Sequence, residues 1–108
     1  MILIETPEEV ADIIKKCRMV LLMFSTPSCA VCAALKPKIE ALMGEFPEIS
    51  AGIIDIEKLR ILSGDYSIFS VPTVLVFAEG VEMVRLSRFV GIDELRTKIS
   101  RFYRMLAK

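Results

Sequence analysis

Apolar and polar positions along this chain fall into short segments whose spacing predicts an alternation of strands and helices. The first apolar run covers residues 2–4. Thr6, Pro7 and Glu9 then supply an N-cap, a proline for the first helical position and a capping-box acid. A helix is therefore predicted to begin there and to pack one face on a sheet. The apolar residues of that face follow at helical spacing: Val10, Ile13, Ile14 and Cys17.

The second apolar run, residues 19–24, is continuous, as expected of a central strand that is covered on both faces. Residues 25–28, which include Pro27, break this strand, and a second helical pattern begins near Cys29. Pro37 lies inside the second helix, where it removes a backbone hydrogen bond and predicts a kink. The apolar face of this helix comprises Leu35, Ile39, Leu42, Met43 and Phe46.

The second half of the chain predicts a short helix between two strands and then a hairpin. Residues 52–56 are typical of a third strand, residues 57–64 of a short helix, and residues 73–78 of a fourth strand. The dipeptide Glu79-Gly80 is a turn signal. Residues 81–89 are therefore predicted to form the second strand of a hairpin at an edge of the sheet.

A last helix is predicted from charges that complement its dipole. Asp93 and Glu94 fit its start, and Lys98, Arg101 and Arg104 fit its end. The resulting order, βαβαβαββα, predicts one α/β domain over residues 1–108, with helices on both faces of a mixed sheet. The buried stripe of the last helix consists of Ile92, Leu95, Ile99, Phe102 and Leu106.

Charge and residue usage exclude several classes of function. The chain has 14 basic and 14 acidic residues, so no net positive charge favours nucleic acid as a partner. It contains no histidine, which removes Ser/His/Asp and Cys/His catalysis and the commonest zinc ligand. The remaining candidates for chemistry are thiols, carboxylates and lysines.

The lengths of the apolar runs and the number of cysteines indicate the cellular compartment in which the protein is expected. Uninterrupted apolar runs have at most seven residues, too short for a membrane span of about 20 residues, and none is interpreted as a signal peptide. Three cysteines, an odd number, do not form the disulfide framework of a small secreted domain. We therefore expect a cytoplasmic protein that does not contact membranes.

The motif with the most specific chemistry is Cys29-Ala30-Val31-Cys32, placed where a strand ends and a helix begins. Unpaired amides and the dipole of the helix start favour a thiolate on Cys29. If Cys29 attacks a substrate disulfide, Cys32 lies close enough to resolve the mixed disulfide. The same C-x-x-C spacing is also compatible with half of a zinc site or with a pair of cysteines that has no chemical role. A metal site would need a second chain to complete four thiolates.

Together with this motif, the rest of the chain resembles the thioredoxin family. The resemblance rests on the element order, on Pro37 five residues beyond Cys32, on residues 70–73 (Ser-Val-Pro-Thr) and on Gly91 before the last helix. It implies a three-layer α/β/α fold with about five strands and a protein disulfide oxidoreductase that works by dithiol exchange. It also implies a cis Pro72 beside the cysteines, with the backbone of Val71 pairing with bound substrate.

The resemblance further implies an electron source outside the chain. No cofactor is expected in the protein itself, and the expected donor is an NADPH-dependent flavoprotein thioredoxin reductase. The chain is expected to be a monomer, and the cytoplasmic assignment favours a role as reductant. Ser28, Ala30 and Val31, together with Val71 and Pro72, are implied to form the substrate-facing rim.

The chain departs from the family pattern near the cysteines. Ser28 replaces a tryptophan, and Ala30 and Val31 replace the usual Gly-Pro. Met23 stands where the family carries a buried aspartate that is thought to help deprotonate the second cysteine. The lysine that accompanies this aspartate is missing, and its place falls within residues 51–53.

Without that aspartate, proton transfer at Cys32 needs water, the backbone or another group. The side chains considered as substitutes are those of Lys36, Asp55 and Glu57. The same departures leave open a second hypothesis, a thioredoxin-fold binding module with little or no turnover. Cys17, on the apolar face of the first helix, is expected to pack in the core, with redox regulation as the alternative.

Overall fold

The computed structural model describes residues 1–107 and confirms the predicted order of elements. Four helices alternate with five strands, except that the last two strands are consecutive. The elements are β1 (Ile2–Leu3), α1 (Pro7–Lys16), β2 (Met19–Ser25), α2 (Ala30–Met43), β3 (Ile49–Asp55), α3 (Ile61–Asp65), β4 (Thr73–Ala78), β5 (Val81–Ser87) and α4 (Ile92–Leu106).

The five strands form one mixed sheet in the order β1-β3-β2-β4-β5. The first three of these run parallel, whereas β4 is antiparallel to both β2 and β5. β2 is the central strand, and all seven of its residues are buried, as its continuous apolar sequence predicts. The predicted edge position of β5 is also confirmed.

Helices cover both faces of the sheet and divide the core into two clusters. Met19, Leu21 and Met23 of β2 point to one cluster, which also contains buried residues of α2 and α4. The intervening residues of β2 point to the other cluster, with Val10 of α1 and Leu62 of α3. This division follows from the period of two along a strand, which sends successive side chains to opposite faces.

The start of α1 is stabilised by the cap that its sequence predicts. The hydroxyl oxygen of Thr6 accepts a hydrogen bond from the backbone amide of Glu9 at 3.3 Å, and Pro7 occupies the first helical position. Cys17 follows the end of α1, is half-buried, carries a free thiol and packs against the cluster on this face. This placement agrees with the predicted packing role of Cys17.

Several predicted boundaries are wrong. β3 covers Ile49–Asp55 rather than residues 52–56, because its parallel pairing with β2 runs from Met19 and Ile49 to Ser25 and Asp55. α3 covers Ile61–Asp65 rather than residues 57–64, because Asp55 holds the preceding segment in turns. Its carboxylate accepts a hydrogen bond from the amide of Glu57 at 2.9 Å, and its carbonyl accepts one from the amide of Leu59 at 3.0 Å.

β5 ends at Ser87 rather than residue 89, because Arg88 has a φ of 66° and leaves the extended conformation. At the other end of the hairpin, Glu79 and Gly80 have φ values of 52° and 78°. Two positive φ angles are typical of the tight turn that matches the twist of paired strands, and glycine adopts them without strain.

The second helix also ends earlier than its apolar pattern indicates. α2 stops at Met43, so Phe46 follows the helix instead of lying on its face. Phe46 is nevertheless buried, and its ring lies 4.9 Å from that of Tyr103 in α4. Pro37 lies inside α2 as predicted. No helix within residues 1–107 combines the length and apolar character needed to cross a membrane.

Candidate thiol-disulfide site

The site lies where the central strand ends and α2 begins. β2 stops at Ser25, and a short turn follows, in which the amide of Cys29 donates a hydrogen bond to the carbonyl of Thr26 at 3.2 Å. Cys29 is the N-cap of α2, and its carbonyl accepts a hydrogen bond from the amide of Ala33 at 3.1 Å. Cys29 therefore lies close to the end of β2 and at the positive end of the α2 dipole.

Cys29 and Cys32 are joined by a disulfide, with their Cα atoms 5.2 Å apart. The sulfur of Cys29 also accepts a hydrogen bond from the backbone amide of Cys32 at 3.1 Å. The amides of a first helical turn have no intrahelical partner, so this sulfur takes the place of a capping oxygen. When the pair is reduced, the same amide and the helix dipole favour a thiolate on Cys29.

The two sulfur-bearing residues differ in their exposure to solvent. Cys29 is half-buried, whereas Cys32 is 3% exposed and belongs to the core cluster of the α2 and α4 face. Cys29 is therefore the more accessible of the two sulfur atoms to an external disulfide.

A second loop from the far part of the chain lies at the same end of the sheet. The Val71–Pro72 peptide bond in this loop is cis. Pro72 is buried, and Val71 is half-buried against the core cluster that contains Cys32. β2 and β4 pair side by side up to Phe24 and Thr73, which brings this loop to the end of the strand that precedes Cys29.

Hydrogen bonds hold the Pro72 loop in place. The buried hydroxyl of Thr73 donates to the carbonyl of Ser70 at 2.7 Å and lies 3.2 Å from the hydroxyl oxygen of Ser87. The amide of Arg88 donates to the carbonyl of Pro72 at 2.8 Å. These contacts tie the loop to the end of β5.

The residues of the predicted rim lie around the pair. Ser28, Ala30 and Val31 are exposed, and Val31 is 60% exposed although it is aliphatic. The sequence analysis did not single out two highly exposed aromatic side chains: Phe69, three residues before Pro72, is 91% exposed, and Phe89, two residues after the end of β5, is 90% exposed. The sequence signal that could have identified them is an aromatic residue just before the Ser-Val-Pro-Thr motif at residues 70–73 and another just before Gly91.

Apolar side chains occupy the positions where the family carries its buried charges. Met23 is fully buried in the cluster that contains Cys32, and its direct neighbours in the sheet are Ile53 and Val74. Residues 51–53 are Ala-Gly-Ile and supply no ammonium group. The sheet beneath Cys32 therefore has no ionisable side chain at either position.

The three candidate substitutes for the buried acid lie in different settings. Lys36 and Glu57 are exposed. Asp55 ends β3 beside Ser25, and its carboxylate accepts the hydrogen bond from Glu57 that forms the local turn. Within the described residues, no group of three or more histidine, cysteine, aspartate or glutamate side chains is placed to hold a metal ion.

Comparison with known proteins agrees with this geometry. The thioredoxin family model matches residues 1–101. The thioredoxin-like protein YdfQ of Bacillus subtilis is 33% identical over 96 residues, covering 89% of this chain and 86% of that protein. Thioredoxin of Chlamydia trachomatis is 32% identical over 101 residues, covering 94% and 98% of the two chains. The X-ray structure of Fasciola hepatica thioredoxin is 28% identical, has a TM-score of 0.84, and covers 94% of this chain and 98% of that one.

Proposed function

Because this chain belongs to the thioredoxin family and is a thiol-disulfide oxidoreductase, we propose that it reduces protein disulfides, with Cys29 as the nucleophile and Cys32 as the resolving thiol. The observation that carries this assignment is the difference between the two cysteines. Cys29 is half-buried and accepts an amide hydrogen bond, whereas Cys32 is buried behind it.

The proposed reaction is a balanced exchange of two electrons and two protons. The Cys29 thiolate attacks one sulfur of the substrate disulfide, which forms a mixed disulfide and releases the other sulfur as a thiolate that takes up a proton. The Cys32 thiolate then attacks Cys29, releasing the second substrate thiol. The substrate ends as a dithiol, and the protein ends with the Cys29–Cys32 disulfide.

The substrate contacts are part of the same proposal. The backbone of Val71, held by the Pro72 loop, pairs with the polypeptide next to the substrate disulfide. Ser28, Ala30 and Val31 contact the substrate from the other side of the pair. The position of Val71 against the cluster that contains Cys32 supports this assignment.

The cellular role is proposed from the residues and the family. The chain works in the cytoplasm as a monomer, and an NADPH-dependent flavoprotein thioredoxin reductase returns its disulfide to the dithiol. No cofactor within the chain is needed, since the hydride chemistry belongs to the reductase. Its partners are protein disulfides rather than nucleic acid or membranes.

A redox titration tests the proposal without a known substrate. The protein is equilibrated in buffers of graded thiol-disulfide potential, quenched with an alkylating reagent and weighed to count free thiols. We expect Cys29 and Cys32 to convert in one two-electron transition while Cys17 stays free. A midpoint of about −270 mV supports a reductant, whereas one of about −120 mV identifies an oxidant and contradicts that role.

One observation favours a second candidate, a binding module with the same fold and little turnover. Met23 and its sheet neighbours leave no buried acid to assist Cys32. This candidate predicts no accessible redox transition and partner capture that persists in the Cys29→Ser, Cys32→Ser double variant. Loss of every interaction in that variant would eliminate it.

A further inference from the structure

Arg85 reaches from the edge strand β5 to the end of α3. In the sheet it pairs with Leu75 of β4. Its guanidinium donates hydrogen bonds to the carbonyl oxygens of Tyr66 at 2.8 Å and of Ser67 at 3.1 Å. These two residues directly follow α3, and a helix end leaves its last carbonyl groups without partners inside the helix. Arg85 thus supplies donors to a helix end from a distant part of the chain.

Glu82 fixes the guanidinium that makes these contacts. Its carboxylate accepts hydrogen bonds from Nε and Nη2 of Arg85, both at 2.8 Å. A bulge in β5 allows this pairing, because Glu82 and Val84 pair with consecutive residues of β4 and Met83 is one extra residue between them. Residues three apart in a regular strand point to opposite faces, whereas the bulge turns Glu82 and Arg85 to the same face.

Residues 66–72, the segment that joins α3 to β4, are held at both ends by β5 and the residue that follows it. Arg85 binds the carbonyl groups at the start of this segment. At its end, the amide of Arg88 donates to the carbonyl of Pro72 at 2.8 Å. A side chain therefore fixes one end of the segment, and the backbone fixes the other.

The middle of the segment connects the two faces of the sheet. Ile68 is 5% exposed and packs in the cluster of the α1 and α3 face. Val71 packs against the other cluster, which contains Cys32. The backbone between them passes from one cluster to the other, so a shift at the start of the segment changes where Val71 presents its amide and carbonyl groups.

We infer that Arg85, held by Glu82, is a positioning residue for disulfide exchange that sets where the backbone of Val71 meets the substrate. The inference rests on the proposed function, in which this backbone pairs with the substrate polypeptide. A backbone that is ordered before the substrate arrives loses less conformational freedom on binding. Arg85 therefore favours the reaction of polypeptide disulfides and leaves the sulfur chemistry of Cys29 unchanged.

The test compares a peptide disulfide with a disulfide that has no polypeptide to pair with Val71. Fully reduced protein is mixed with a cystine-bridged peptide or with bis(2-hydroxyethyl) disulfide, and single-turnover rate constants are followed by alkylation and mass. In Arg85→Ala we expect the ratio of the peptide rate constant to the small-disulfide rate constant to fall at least about fivefold. Arg85→Lys keeps the charge but not the planar fork of donors, so a smaller fall is expected.

Arg18 offers a matched control at the opposite end of the sheet. Like Arg85, it pairs with a glutamate, Glu79, at 2.8 Å and donates to a backbone carbonyl, that of Leu106, at 2.8 Å. It lies just before β2 begins, whereas the cysteine pair follows the end of that strand. Arg18→Ala is therefore expected to remove the same kinds of contact and to leave the ratio of rate constants unchanged.

The role of Glu82 is tested through its dependence on Arg85. Glu82→Gln removes the charge that fixes the guanidinium and is expected to lower the ratio by less than Arg85→Ala does. In the Arg85→Ala background, Glu82→Gln is expected to have no further effect, because Glu82 acts through the arginine. Equal effects in the two backgrounds would overturn this coupling.

Three outcomes would overturn the positioning role of Arg85. An unchanged ratio in Arg85→Ala would mean that the segment presents Val71 equally well without the guanidinium. An equal fall of both rate constants would mean that Arg85 affects the exchange chemistry and not the polypeptide contact. The same fall of the ratio in Arg18→Ala would make the effect a general consequence of losing a surface ion pair.

A binding measurement distinguishes failure of this inference from failure of the proposed function. If the unaltered protein reduces neither disulfide, a fluorescein-labelled form of the peptide with serine in place of both cysteines is titrated with the oxidised protein. Binding that weakens at least about fivefold in Arg85→Ala and not in Arg18→Ala supports the positioning role although the proposed function has failed. Binding that is equal in all three proteins, or too weak to detect in each, overturns it.

Discussion

The sulfur of Cys29 caps the helix that contains Cys32, accepting a 3.1 Å hydrogen bond from the backbone amide of Cys32. One residue thus serves both as the N-cap of α2 and as the more exposed member of the redox pair. The same amide favours negative charge on this sulfur when the disulfide opens. The proposed nucleophile is therefore stabilised by a backbone amide, in a chain that contains no histidine.

The first prediction separates the roles of the two thiols. Cys29→Ser is expected to abolish reduction of a peptide disulfide, because the buried Cys32 is not accessible to the substrate. Cys32→Ser is expected to accumulate a mixed disulfide at Cys29, because the resolving thiol is lost. Both results are read by mass spectrometry after an alkylating quench. Cys17→Ser is the control and is expected to reduce the peptide at the original rate.

The outcome that would contradict this assignment is specific. Full activity in Cys29→Ser would make Cys32 the nucleophile, despite its 3% exposure. The two single variants also allow the rates of mixed-disulfide formation to be compared. If Cys32 in the Cys29→Ser protein reacts as fast as Cys29 in the Cys32→Ser protein, the burial of Cys32 does not limit its access to substrate.

The second prediction concerns the methionine at the position of the missing acid. Met23→Asp is expected to destabilise the protein by about 3 kcal/mol at neutral pH, because a carboxylate would be buried without a partner between Ile53 and Val74. Burial raises the pKa of such a carboxyl, so the folded state binds the proton more tightly than the unfolded state. Stability is therefore expected to fall as pH rises above the ordinary pKa of aspartate, about 3.9.

Urea unfolding at several pH values measures this effect. Met23→Leu, which roughly conserves volume, is expected to cost less than about 1.5 kcal/mol and to show no added pH dependence. A Met23→Asp protein that is as stable at pH 8 as at pH 4, relative to Met23→Leu, would show that this position already accommodates a charge.

The third prediction concerns the hydrogen bond that holds the Pro72 loop. Thr73→Val removes the donor to the carbonyl of Ser70 and is expected to cost about 1 kcal/mol of unfolding free energy. Thr73→Ser retains a hydroxyl and is expected to keep most of that stability. Denaturant unfolding compares the two variants. A larger loss in Thr73→Ser than in Thr73→Val would assign the effect to the methyl group of Thr73 instead of its hydroxyl.

The fourth prediction follows from the ion pair between Glu45 and Arg96. The hydrogen bond from Arg96 lowers the pKa of Glu45 below its ordinary value of 4.5. The folded state thus holds this proton less tightly than the unfolded state, so the pair contributes stability above pH 4.5 and loses it as pH falls through the lowered pKa. The midpoint of thermal unfolding is expected to be lower in Glu45→Gln than in the original protein at pH 7.

The pH dependence of that difference is the decisive measurement. The two midpoints are expected to converge as the pH falls below 4.5, because Glu45 becomes neutral in the original protein too. Other carboxyls titrate in both proteins and cancel in the comparison. A difference that stays constant from pH 7 to pH 3 would show that the charge of Glu45 is not its source.

Much of the fold was predictable because it depends on local spacing. The six apolar residues at 19–24 indicated a strand covered on both faces, and β2 is the buried centre of the sheet. Thr6 and Pro7 marked the start of α1 correctly, since capping involves residues only three positions apart. The boundary of α3 was wrong because a carboxylate of Asp55 organises the turn before it, which apolar spacing does not reveal.

The sequence by itself determined the order of elements and the placement of Cys29-Ala30-Val31-Cys32 at a helix start, because both depend on neighbouring residues. Only the tertiary structure decided that Cys32 is buried while Cys29 is half-buried, and that Phe69 and Phe89 are almost fully exposed. Exposure depends on which distant segments pack over a residue, and those contacts exist only once the sheet has brought its loops together. The physical reason is that hydrogen-bonded caps and apolar periods are local, whereas burial is a property of the whole packed chain.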